Sequence, residues 1–141
     1  MTASRQESKA NPKRSEVPVG DTWDLASLFE SDAEWLEVLG QFEREMEGLS
    51  QFSGRLGESA TVLAECLAFD IKLDRLGERL GTYAFLKTTE DQGNSHYQGF
   101  VGRYQNLATR AGQAASFIRP EILSISPDKM AAMMKIGRAH V

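Results

Sequence analysis

Apolar residues along the chain recur at alternating steps of three and four. Between Glu58 and Ile118 they fall at Cys66, Phe69, Leu73, Leu76, Leu80 and Tyr83, then at Tyr97, Phe100, Tyr104, Leu107, Ala111, Ala114 and Ile118. That is the seam spacing of packed helices. The two runs are separated by Glu90-Asp91-Gln92-Gly93-Asn94-Ser95, where Gly93 and Asn94 can end one helix and Asn94 or Ser95 can cap the next. The pattern predicts a long helical hairpin, each arm on the order of 40 Å at 1.5 Å per residue. Gly77 and Gly81 lie inside the first arm, and Ala108, Ala111, Gly112, Ala114 and Ala115 on the second. A glycine inside a helix costs about 1 kcal/mol against alanine, so close approach of a neighbouring helix is the expected compensation.

Upstream, Ser31-Asp32-Ala33-Glu34 has the form of a capping box, with acidic residues at the positive end of the helix dipole. Trp35, Leu39, Phe42, Met46 and Leu49 then form a buried stripe, which Gly48, Ser50 and Ser53-Gly54 should end. Ser59 is the expected cap of the hairpin's first arm, and Arg119-Pro120 the expected stop of the second. Ser126-Pro127 starts a further helix, with Met130, Met133 and Met134 on its apolar side. No segment sustains period-two alternation, so the expected class is all-α: an antiparallel helical bundle built on the hairpin, with a disordered N-terminal leader.

That leader is expected over residues 1–16, which are polar and carry Arg5, Lys9, Lys13 and Arg14 interrupted by Glu7 and Glu16. Such a stretch cannot bury enough surface to offset its ordering entropy. A targeting or nucleic-acid tail is the other reading of its basic residues. The folded domain is expected over residues 17–135. It opens with Trp23, Leu25, Leu28 and Phe29, a dense apolar cluster that either packs back on the helices or docks another protein. Folding back is favoured because exposed tryptophan and phenylalanine are costly, and Trp23→Ala should then cost about 3 kcal/mol. Residues 136–141, Ile-Gly-Arg-Ala-His-Val, interrupt the last helix with Gly137 and look like one frame of a widely used sequencing-adapter oligonucleotide. They are expected to be non-biological, which leaves His140 out of any functional argument; an ordinary basic tail is the alternative.

Composition sets the class. The 141 residues allow one domain, 41% are hydrophobic and 26% charged, and the formal net charge is -4. This is ordinary for a globular chain and does not suggest a nucleic-acid surface. The one cysteine, Cys66, permits no internal disulfide and suits a reducing compartment. No apolar run is long enough to span a membrane, and the polar start is unlike a secretory signal, so the default location is cytoplasmic.

Chemistry is sparse. His96 and His140 are the only histidines, and neither has a second ligand at the H-E-x-x-H spacing of a zinc site. There is no P-loop or G-x-G-x-x-G. His96 reads as a surface residue beside a helix start, and Cys66 as a small apolar seam residue rather than a nucleophile. Glu90 and Asp91 could be paired carboxylates, yet adjacent residues do not share a helix face, so a solvated hairpin tip is expected. Tyr83, Tyr97 and Tyr104 could line a substrate groove, but core or seam packing is the favoured reading. No catalytic, cofactor or metal residue is assigned.

The order of certain segments is more specific. Val17-Pro18, Asp21-Thr22-Trp23-Asp24-Leu25, Leu28-Phe29 and Trp35 resemble the opening of oligoendopeptidase F and related thimet-oligopeptidase-like peptidases. Phe52-Ser53-Gly54-Arg55-Leu56, Tyr83-Ala84, Glu90-Asp91, Asn94-Ser95, Tyr97-Gln98 and Phe117-Ile118-Arg119-Pro120-Glu121-Ile122-Leu123 are similar to later segments of that family's N-terminal region. The resemblance implies a zinc metallopeptidase acting on short peptides in the cytoplasm. Its metal would be held by an H-E-x-x-H and a further carboxylate in a helical catalytic domain. None of those positions has a counterpart here. The chain would then be the non-catalytic wall, inert alone and partnered by the missing C-terminal catalytic domain. A self-contained helical interaction or dimerisation module is the competing expectation.

Overall fold

The computed structural model describes Pro12 and residues 14–138. Among these, every regular element is helical and none is a strand. Five α-helices follow in order: α1 (Asp32–Met46), α2 (Ala60–Glu90), α3 (Ser95–Ala115), α4 (Ile118–Ser124) and α5 (Pro127–Arg138). Short 3-10 turns span Arg14–Glu16, Val19–Asp21, Leu25–Ser27 and Glu47–Phe52.

The hairpin of α2 and α3 is the frame. Its break falls at residues 91–94, and its arms are unequal, 31 and 21 residues long. Ser59 Oγ accepts the Val62 N–H and Asn94 Oδ1 accepts the His96 N–H, so both arms begin with side-chain caps. At the break, Asp91 Oδ1 accepts the Gly93 N–H at 3.0 Å. Gly81 lets α3 close in, because a Cβ there would stand 2.5 Å from Tyr104 Cζ.

Helix α1 lies across the hairpin. Ser31 Oγ accepts the Glu34 N–H at 3.2 Å, and Glu34 reaches back to the Glu30 N–H at 2.7 Å. The capping box is therefore displaced by one residue on its return bond. Trp35, Leu39, Phe42 and Met46 are all buried. Trp35 stacks on Phe100 with ring centroids 4.1 Å apart and donates its indole N–H to the Leu80 carbonyl at 2.9 Å. One side chain thus joins α1, α2 and α3, and its polar atom is satisfied inside the core.

Three local expectations are corrected. Gly48 does not end the first helix, since the chain continues as a 3-10 turn. Its bare Cα instead makes room for Phe69, whose Cζ would lie 2.9 Å from a Cβ. Pro120 does not stop α3, which ends at Ala115. It sits in the first turn of α4, where a missing N–H leaves no helical bond unmade. Met134 is exposed while Met133 is buried, so α5 turns one methionine of its pair away from the body.

The start of the domain also differs. Of the leader expected over residues 1–16, Arg14–Glu16 form a 3-10 turn in which the Val17 N–H donates to the Arg14 carbonyl at 3.3 Å, and Arg14 Nε donates to Glu90 Oε1 at 3.0 Å. The remainder, except Pro12, lies outside the described residues, Arg5, Lys9 and Lys13 included. Leu25 and Phe29 are buried as expected, but Trp23 is 76% exposed and does not anchor the segment. Phe29 takes that role, edge-on to Tyr83 at 5.3 Å and beneath the Arg79 guanidinium at 4.1 Å. At the other end, the α5 backbone runs through Gly137 to Arg138, past the boundary expected at Lys135. Ala139–Val141, with His140, lie outside the described residues. Among the described residues, no helix is long and apolar enough to cross a membrane.

Candidate functional site

The densest polar cluster sits where the start of α1 meets the hairpin tip. Asp32, the first residue of α1, points its carboxylate at both arms. Tyr83 Oη of α2 donates to Asp32 Oδ1 at 2.8 Å, and Tyr97 Oη of α3 donates to Oδ2 at 3.2 Å. His96 Nε2 lies 3.1 Å from the same Oδ2. Lys87 Nζ stands over both phenol rings, 5.6 Å from the Tyr83 centroid and 5.3 Å from that of Tyr97. Glu90 closes the cluster, paired with Lys87 at 3.9 Å and with Arg14 at 3.0 Å.

The electrostatics follow from this arrangement. Burial pushes the Asp32 carboxyl up, but hydrogen bonds from Tyr83, His96 and Tyr97 outweigh it and hold the group below the usual carboxylate range. Burial pushes the Tyr83 phenol well above its ordinary value, and the bond to ionised Asp32 adds to the rise. Burial and the Asp32 charge raise Tyr97 likewise. Asp32 is therefore a fixed anion and Tyr83 and Tyr97 are neutral donors through the physiological range. Such a set pins elements together.

Nor does it fit a metal. Asp32 spends both oxygens on protein donors, and one histidine with one carboxylate falls short of the three protein ligands usual for catalytic zinc. Among the described residues, no group of three or more His, Cys, Asp or Glu could hold a metal ion. Zinc is thus not accommodated by the Asp32 cluster.

The structure separates most of the sequence candidates. Cys66 is fully buried, and burial together with the Asp70 charge raises its thiol, the opposite of an activated nucleophile. Glu90 and Asp91 diverge, one into ion pairs and the other into the turn. Tyr104 packs over Gly81, away from Tyr83 and Tyr97. Tyr83, Tyr97 and His96 do come together, around an Asp32 that had been read only as a helix-dipole residue. Each lay on a periodic or capping position, but nothing local relates position 32 to positions 83 and 97.

A concavity of about 330 Å³ opens between α2 and α3, apart from the Asp32 cluster. Leu73, Gly77 and Ala111 contribute to its apolar lining, and Asp70, Asp74 and Glu78 to one wall. Burial and the neighbouring Asp74 charge push Asp70 up.

No family model matches the chain. Among curated proteins, it is 43% identical over 128 residues to Oligopeptidase PepF of Bacillus subtilis, which covers 89% of this chain and 19% of that protein. Among solved structures, it matches the crystal structure of oligoendopeptidase-F from Enterococcus faecium with a TM-score of 0.68 and 30% identity, over 74% of this chain and 21% of that one. The chain is homologous to oligoendopeptidase F. The plasmid-borne oligoendopeptidase F of Lactococcus lactis subsp. cremoris agrees at 28% identity over 116 residues, 82% of this chain and 19% of that protein. The chain thus spans about a fifth of the length of the curated relatives it matches. The shared region is the helical body just described, with its Asp32 cluster inside it.

Proposed function

We propose that this chain is the N-terminal, non-catalytic helical domain of an oligoendopeptidase F-like zinc metallopeptidase that hydrolyses short peptides in the cytoplasm. The carrying observation is the 43% identity over 128 residues to a relative of which the chain covers only 19%. Zinc and the residues that activate water would belong to the rest of the protein, since the Asp32 cluster has no free ligand set. Peptide substrates are supported by the names of the relatives, and a reducing cytoplasmic setting by the single buried thiol. Within the chain, residues before Val17 act as a leader, residues 17–135 as the domain, and residues 136–141 as an adapter-derived tail. The exposed Trp23 favours a second reading, in which the body is an interaction module with its own partner.

The test starts from the source DNA. Past codon 135 the reading frame should continue towards an H-E-x-x-H. The extended protein should cleave a fluorogenic oligopeptide in a chelator-sensitive way, whereas the 141-residue chain should not. A genuine stop at that point, or zinc-dependent hydrolysis by the short chain, would overturn the assignment.

A further inference from the structure

Trp23 is 76% exposed, yet the chain on both sides of it is fixed. After it, Leu25 and Phe29 are buried, and Arg79 Nε donates to the Leu28 carbonyl at 2.7 Å. Before it, Arg14 is paired with Glu90 at 3.0 Å, and Thr22 Oγ1 donates to the Val19 carbonyl at 2.7 Å. The indole is therefore held outward by its neighbours rather than left loose. It forms a ridge between two hollows of about 260 and 350 Å³, both lined by Arg14, Trp23 and Glu90. Val19, 85% exposed, edges one of them.

A tryptophan beside an arginine, flanked by concavities, is the composition that carries most of the energy in protein interfaces. Leaving the ring in water forfeits a large burial gain, while the smaller Leu25 two residues on is buried. Among the other exposed apolar residues, Phe85 edges a hollow on α2, but no arginine lines it, and Leu67 and Ile71 lie one turn apart on the same helix. Leu123 and Met134 lie on separate short helices.

We infer that this ridge is the surface on which the remainder of a longer oligoendopeptidase F-like chain packs, with Trp23 filling a pocket of that remainder. The inference rests on the domain reading above. Its occupant is named by coverage: the matched region is 19% of the Bacillus subtilis protein and 21% of the Enterococcus faecium chain, so most of each lies outside the matched region. Trp23 and Val19 are the exposed apolar pair built to receive it.

Hydroxyl-radical footprinting read by mass spectrometry tests this on two lengths of the protein, the 141-residue chain and the product of the continued reading frame. In the short chain Trp23 should oxidise readily, and Trp35, which is fully buried, should be protected. In the long chain Trp23 should lose its reactivity, down to the level of Trp35. Trp23→Ala and Val19→Asp should leave the unfolding midpoint of the short chain unchanged and lower that of the long one. If the long chain hydrolyses oligopeptide but Trp23 reacts equally in both lengths, the peptidase reading stands and this inference falls. A frame that closes without a further domain removes both. Protection that appears in the short chain and grows with its concentration would assign the ridge to a second copy and overturn the proposal.

Discussion

Asp32 is the residue on which three helices converge, and its protonation is the clearest handle on their union. Its folded pKa lies below the ordinary aspartate value, so the stability it contributes is fully present above that ordinary value. The contribution is lost as pH falls through the lower folded value. The Asp32→Asn variant should therefore be less stable at pH 7 and lose less stability than the parent between pH 4 and 2, as chemical melts at each pH would show. Tyr83→Phe should cost about 1.5–3 kcal/mol at neutral pH, the worth of one hydrogen bond to a charged acceptor. The two tryptophans make the other contrast. Trp35→Ala removes a buried ring, its stack on Phe100 and its bond to Leu80, and should cost about 3–5 kcal/mol. Trp23→Ala in the same 141-residue chain should stay within about 0.5 kcal/mol, as at other exposed positions. Equal costs in urea melts would contradict the observed burial of one ring and exposure of the other.

Helix positions and caps follow from local rules, and their energies are local too. Ser59→Ala should cost about 1 kcal/mol through loss of the bond to the Val62 N–H. The glycines do not behave alike, because their surroundings differ. At Gly112 a Cβ meets nothing within 4 Å, so Gly112→Ala should stabilise by up to about 1 kcal/mol through helix propensity. At Gly81 the same change drives a methyl into the Tyr104 ring, and overpacking of about 1–3 kcal/mol should exceed the propensity gain. Truncating the ring should undo this. Gly81→Ala should be better tolerated in a Tyr104→Ala background, and a double-mutant cycle measures the coupling. Additive behaviour would mean that α3 does not approach α2 at this point. The short helix α4 shows the limit of a breaker rule. A proline in a first turn is compatible with a helix, and Glu121 beside it accepts the Leu56 N–H at 3.3 Å, tying α4 to the turn before α2.

At the scale of the molecule, the N-terminal segment is held by a few contacts of unequal worth. Arg14–Glu90 is a partly exposed ion pair at the surface, with a worth of about 0–1 kcal/mol. Phe29, buried against Tyr83 and covered by Arg79, is worth several times that. A chain starting at Val17 should therefore melt within about 1 kcal/mol of the parent, and Phe29→Ala should lower stability by about 3 kcal/mol or more. A truncation more damaging than the substitution would move the boundary between leader and domain upstream.

The all-α class, the hairpin, its break, the caps at Ser31, Ser59 and Asn94 and the buried stripe of α1 were legible in the sequence. They depend on periodicity and on side-chain bonds to backbone a few residues away. The buried positions of the hairpin could be read for the same reason, since a three-four stripe names the face that turns inward. What that face meets is not written locally. Asp32 joins Tyr83, Tyr97 and His96 only because α1 crosses the hairpin in one register, set by Trp35 seated between Leu80 and Phe100. Gly48 and Gly81 are explained by rings that come from distant positions, Phe69 and Tyr104. Trp23 is exposed where hydrophobicity alone predicts burial, because hydrophobicity gives the cost of exposure but not the direction in which a strap pinned at both ends will point. Burial of one cluster residue and exposure of the next is a choice among competing contacts, and only the assembled tertiary structure makes it.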